Sequence, residues 1–262
     1  MKPSSILPEA KAAGLFGRFP REGLVSLLVL AAVWETLAQL SPTLGIPPFA
    51  VPSFVRIGRS LLTVTPIDVA ITLLRVLGAL LVSFVLGMTL AMVMYLSETL
   101  ERHARPVIRL LMAVPIISWI LFAILWFRGV EFRVAFVLVI VCAPVFLVDA
   151  LDSMRDVSRD WRDMLRSFRP TRVQFFTKLM LPATLPSILT SWKIVMSLAI
   201  RVVTIAELVG AVTGIGHQLN VAQQLFSVAD VFAWTLVLVA SLFLLEYVLT
   251  LAEARLLKWR PA

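Results

Sequence analysis

The chain has 262 residues, 60% of them hydrophobic and only 15% charged, with a mean hydropathy of +0.93. A soluble domain carries charge on roughly a quarter of its residues; apolar runs of this length and number instead describe an all-α polytopic membrane protein. The net charge of +8 is spread along the loops and is read as a topology signal rather than a nucleic-acid surface. A single cysteine, Cys142, lies inside an apolar run, so neither a disulfide framework nor a thiolate metal site is available.

Residues 1–23 form a basic N-terminal segment with Lys2, Lys11, Arg18 and Arg21. It resembles the start of a signal peptide, but Glu35 interrupts the apolar run and no small-residue cleavage site follows, so it reads as an uncleaved first span. About six spans are expected, roughly Leu24–Leu40, Ile71–Leu96, Ile108–Phe127, Val134–Ala150, Ile188–Val209 and Val231–Leu251. They define a membrane domain over residues 24–251, followed by a tail at 252–262. Seventeen Lys and Arg residues fall in segments on the side of the N-terminus and four on the opposite side, which places both termini in the cytoplasm.

After the first span, Pro42, Pro47, Pro48 and Pro52 prevent a continuous helix. Ser53 to Leu62 can form a short surface helix capped by Ser53. Span two carries Ala79, Ser83, Gly87 and Ala91 every fourth position, a stripe that lets a neighbouring helix approach closely. Pro115 and Pro144 are expected to bend spans three and four, and Trp119, Trp126 and Phe127 read as packing or interface anchors.

Span five is the most polar. Thr190, Lys193, Ser197, Arg201 and Thr204 recur at three- and four-residue spacing on one helical face. A charge near mid-span must face a bundle or a wet cavity. Arg201 therefore lines a translocation path with Ser197, Thr204 and Glu207, or it forms an ion pair with Asp149 or Glu207 of the same or a neighbouring chain. Lys193 lies nearer the cytoplasm and can snorkel. The following Gly210–Gly216 segment is glycine-rich but lacks the lysine and hydroxyl pattern of a phosphate loop, so it reads as a mobile or tightly packed outer turn. His103 and His217 lack partners at metal spacing, and no metal site is expected.

The longest polar interruption is Arg159–Pro186. Trp161, Met164, Leu165 and Phe168 share one face of a helix, Arg169-Pro170 breaks it, and a second amphipathic segment runs from Thr171 to Leu179. Two short helices around a sharp turn would form a protruding knuckle; the alternative is a basic segment lying on anionic lipid.

This stretch resembles the EAA loop of ABC importer permeases, a pattern of Glu-Ala-Ala, three residues, Gly, and a later Leu-Pro. Aligned on Leu181-Pro182, the motif positions are Asp163-Met164-Leu165, and Arg169 stands at the glycine. Further fragments are similar to the nitrate/sulfonate/taurine branch: Trp34-Glu35, Val51-Pro52-Ser53, Ile124–Phe127, Pro182–Thr190, Ala206-Glu207, Gly214–Gly216, Ala222-Gln223 and Leu256–Trp259. The resemblance implies a type I importer fold in the bacterial inner membrane and a dimer with a second permease copy or paralogue. It also implies a solute-binding protein outside and ABC ATPase subunits inside. On this alignment Asp163, Met164, Leu165, Arg169, Pro170, Arg172, Gln174, Lys178, Leu181 and Pro182 form the ATPase-coupling loop. Positive backbone torsion is costly for arginine, so Pro170 is expected to impose a different turn. The chain has no Gly-Lys dipeptide and hence no P-loop. It is not expected to be an enzyme or to hold a cofactor; ATP and Mg belong to the partner ATPase. The competing class is an ion-coupled secondary transporter or channel, which calls for inverted repeats and more intramembrane carboxylates.

Overall fold

The computed structural model describes residues 21–257 apart from 44, 46, 48 and 49. The N-terminal segment up to residue 20, Pro48, Lys258 and Trp259 lie outside the described residues. Every regular element among the described residues is helical: α1 (Arg21–Leu40), α2 (Phe54–Leu62), α3 (Pro66–Leu96), α4 (Glu98–Ala113), α5 (Ile116–Trp126), α6 (Val130–Asp156), α7 (Arg159–Ser167), α8 (Arg172–Phe175), a π-turn at Phe176–Met180, α9 (Leu181–Gly210), α10 (Ile215–Gln224) and α11 (Val228–Leu256).

The core lies between α3, α6 and α9. Val76, Leu80, Val137, Leu138, Val195 and Val203 are all buried there. Lipid tails are as apolar as leucine, so helices in a bilayer are held by close packing rather than by escape from water. The small-residue stripe supplies that packing. Ala79, Ser83, Gly87 and Ala91 are all buried, and a methyl group placed on Gly87 would come within 2.8 Å of both the Ala143 carbonyl and Phe146 Cβ on α6. Cys142 is buried in the same core.

Four helical stretches, residues 66–96, 130–156, 173–210 and 228–255, are long and apolar enough to cross a membrane. The expected third span is not one helix. Pro115 disfavours helical torsions at Val114, which is extended (φ −69°, ψ 128°), and α4 and α5 meet at a 92° bend; taken together they can make a fifth span. Pro144, by contrast, sits buried inside an uninterrupted α6. The apolar part of the first helix, Val25–Leu40, is shorter than the other spans. It covers roughly 24 Å at 1.5 Å per residue, against a hydrocarbon core of about 30 Å.

The short helix α2 forms as expected, but Ser53 does not cap it through its side chain. Glu35 on α1 does that work: its Oε2 accepts from the Phe54 N–H at 3.0 Å. The neighbouring Trp34 indole donates to the Pro52 carbonyl at 3.1 Å and packs edge-on against Phe232 of α11 at 5.3 Å. The Trp34-Glu35 pair thus ties the first helix, the proline loop and the last helix together. Trp119, Trp126, Phe127, Phe122 and Phe136 form one aromatic cluster between α5 and α6, which is packing.

Candidate functional site

Polar groups concentrate in three places. At the α3 start, Asp68, Thr72 and Arg75 stand at i, i+4 and i+7, so one helical face presents all three. That face meets the end of α9 and the turn leading into α10. The Thr72 hydroxyl lies 3.0 and 2.9 Å from the two Glu207 oxygens, donating to them, and accepts from the Ile215 N–H at 2.9 Å. Asp68 accepts from the Gly214 N–H at 2.8 Å, the Gln218 amide at 2.9 Å and the Thr65 hydroxyl. The Arg75 Nη1 donates to Glu207 Oε1 at 2.7 Å and to the Thr213 carbonyl at 2.8 Å.

Glu207 is fully buried and also accepts from the Gly216 N–H at 3.0 Å. A buried carboxylate is tolerable only with this degree of pairing. The glycines make room for it. Gly214 has φ +107°, and a Cβ there would lie 2.5 Å from Glu207 Oε1; one on Gly216 would lie 2.4 Å from the Thr204 carbonyl. The glycine-rich turn is therefore the tightly packed alternative, not a mobile one.

Halfway along α9 the picture differs. Ser197 and Thr204 are half-buried and Arg201 is exposed, on a strip shared with the exposed Ile194, Ile205 and Val209. Within the chain, Glu207 is held by Arg75 and not by Arg201. Lys193 pairs with Glu253 near the C-terminal end of α11.

The third place is Arg159–Leu181. Ser158 caps α7 by accepting from the Trp161 N–H at 3.4 Å. Trp161 and Met164 are each 59% exposed and Phe168 is 77% exposed, whereas Leu165 packs inward with Phe175, Leu179 and Met180. Asp163 is exposed and lies 3.8 Å from Arg166, whose guanidinium stands 5.9 Å over the Phe175 ring. Arg169 adopts φ +48°, so the arginine takes the left-handed backbone that suits a glycine, and Pro170 does not replace it with another turn. Thr171 and Gln174 then form a capping box: the Gln174 Oε1 accepts from the Thr171 N–H at 2.9 Å and the Thr171 Oγ1 from the Gln174 N–H at 3.3 Å. The second segment is not a separate short helix. Opened by Arg172, it passes through the π-turn, which carries the exposed Lys178, and runs on past Leu181 and Pro182 into α9.

Residues 83–258 match the model of the binding-protein-dependent transport system inner membrane component. The chain belongs to this family. It is 27% identical to the taurine transport permease of Escherichia coli over 89% of this chain and 88% of that one. It is 26% identical to a putative aliphatic sulfonates transport permease of Bacillus subtilis over 91% and 87%. It is also 27% identical to the formylaminopyrimidine transport permease of Halalkalibacterium halodurans over 75% and 78%. The protein is thus an ABC importer permease of the inner membrane in the nitrate, sulfonate and taurine branch, a transport subunit rather than an enzyme. Among the described residues no three His, Cys, Asp or Glu side chains are grouped to hold a metal.

Two features escaped the sequence. Arg75 was merely an arginine within a span, yet two opposite charges in the outer halves of spans two and five are natural partners in a medium that penalises either alone. Glu101 was also passed over. It is buried on α4, where it accepts from Arg105 Nε at 2.6 Å and pairs with Arg155 of α6. This staple holds the elbow helix to the inner end of α6 beside the knuckle.

Proposed function

We propose that the chain is the permease subunit through which a separate ABC ATPase drives import of a small anionic or organosulfur solute of the sulfonate, nitrate or taurine class. Residues 24–251 are the membrane domain, with the flanking segments 1–23 and 252–262 and the 159–186 loop in the cytoplasm. ATP and Mg act in the ATPase, a second permease copy or paralogue completes the pore, and an extracytoplasmic binding protein delivers the solute.

The observation that carries the coupling reading is the knuckle itself. It presents Trp161, Met164 and Phe168 outward around a turn that keeps left-handed torsion at Arg169. Large apolar side chains protruding into water beside a carboxylate, Asp163, are what a partner groove would cover. The translocation path is assigned to the α9 face of Ser197, Arg201 and Thr204. An exposed arginine midway along an apolar span calls for a wet pore or a second subunit rather than lipid. Glu207 belongs to the outer end of that path as a fixed, paired carboxylate.

A second reading of the solute rests on a specific feature. Asp149, Asp152 and Asp156 line a groove with Ser187 and Thr190 at the inner end of α6 and α9, and such a mouth favours a neutral or cationic solute. Uptake assays on vesicles holding permease, ATPase and binding protein decide between them. Sulfonate or nitrate uptake that falls in Arg201→Ala supports the anion path, and pyrimidine uptake indifferent to Arg201 overturns it. Co-purification with the ATPase tests the knuckle, since unchanged binding after Asp163→Ala with Arg169→Ala would refute the docking role.

A further inference from the structure

Arg75 holds two carboxylates that differ in every respect except their chemistry. Its guanidinium is nearly buried, with 7% of the side chain exposed, as is Glu207 at 0%, but Glu131 on the same guanidinium is 68% exposed. Glu207 is fixed by Thr72 and Gly216 as well. Glu131, in the first turn of α6, binds the other edge: Nε donates to its Oε2 at 2.8 Å and Nη2 to its Oε1 at 2.5 Å. Nη2 also donates to the Thr213 hydroxyl at 3.1 Å. This is the two-pronged arrangement in which arginine receives any planar or tetrahedral group with two adjacent oxygens.

We propose that the Nε/Nη2 edge of Arg75 is an oxyanion site for a sulfonate, nitrate or carboxylate solute, and that Glu131 is a tethered competitor filling it in this state. The argument rests on asymmetry of release. Removing Glu207 from Arg75 would strand a buried charge, which is strongly unfavourable. Glu131 can rotate into water, where its own charge is solvated, and the cost that remains is the nearly buried Arg75 edge it leaves unpaired, which the incoming oxyanion satisfies. The guanidinium stays fixed meanwhile by Glu207 and the Thr213 carbonyl, so the vacated edge keeps its aim. Asp68, about two turns away on the same face, is committed to Gly214, Gln218 and Thr65 and does not compete. With Glu207, Asp68 and Glu131 around one guanidinium, the solute anion adds a negative charge unless Glu131 swings out into water, so binding requires its release. The inference deepens the anion reading of the solute.

The test is calorimetric titration of the permease–ATPase complex in lipid nanodiscs, without binding protein, using methanesulfonate, nitrate and chloride. With the competitor seated most of the time, apparent affinity is reduced by the unoccupied fraction. Glu131→Gln is therefore expected to tighten methanesulfonate and nitrate on the order of tenfold, with Glu131→Asp between it and the wild type. Adding Arg75→Lys, which keeps the charge but cannot chelate, is expected to reverse the gain. Chloride, having one atom to offer, gains little. Unchanged methanesulfonate affinity in folded Glu131→Gln overturns the site, as does an equal gain for chloride, which would reveal plain relief of negative charge. Uptake separates the two proposals. Tighter anion binding without anion import retains the site and removes the solute reading, whereas anion import with indifferent Glu131→Gln does the reverse.

Discussion

The outer cluster around Glu207 and the inner knuckle around Arg169 lie at opposite ends of the same helix and solve opposite problems. At the outer end the polar groups are buried, and the contacts around Glu207, Asp68 and Arg75 come from within the chain. At the inner end, Trp161, Met164 and Phe168 face outward and a non-glycine residue bears left-handed torsion. One end meets its polar needs within the chain, and the other exposes large apolar side chains. The difference teaches where stability and where function should respond to mutation.

The comparison breaks most sharply at Arg75. Arg75→Ala leaves Glu207 buried without its counter-charge, a loss of about 3–5 kcal/mol for a broken buried pair, read as a drop in thermal unfolding temperature of the detergent-purified permease. Gly216→Ala comes next. Its methyl would press on the Thr204 carbonyl at 2.4 Å, backbone that cannot swing aside, and overpacking of this kind costs roughly 1–3 kcal/mol. At the inner end the same measurement should barely move. Trp161→Ala and Met164→Ala are exposed-surface changes, within about 0.5 kcal/mol for stability. They are nevertheless expected to weaken ATPase binding about tenfold or more, the loss that follows truncation of an interface anchor, measured by biolayer interferometry on the same preparations. Arg169→Gly is the smallest effect and has the opposite sign. Relief of left-handed torsion at about 1–2 kcal/mol, offset by the greater freedom of glycine in the unfolded chain, leaves a gain below about 1 kcal/mol in thermal unfolding. A loss instead would mean that the Arg169 side chain contributes contacts worth more than its backbone strain.

The two ends were not equally legible. The knuckle could be read from local pattern: an amphipathic period, an Arg-Pro break and a motif position expecting glycine. The Thr171–Gln174 capping box was equally local and was overlooked, and so was the continuity of the second segment with α9, because a π-turn leaves no periodic signature. The outer cluster depends on pairing across more than 130 residues of sequence, which one chain without its fold cannot specify; the small-residue stripe announced only that α3 packs closely, not on what. The bend at Pro115 and the straight passage through Pro144 show the same limit, since proline removes the same donor in both and the surrounding helices decide whether the axis yields.

Helix α9 has 30 residues, roughly 45 Å at 1.5 Å per residue, and joins the two ends directly. The π-turn and Pro182 and Pro186 gather at its N-terminal end, the features at which helices bend. A tilt of about 10° around that end sweeps the far tip through about 8 Å, more than a hydrogen bond can stretch. A tilt of that size would have to part Glu207 from α3 or carry α3 along with it.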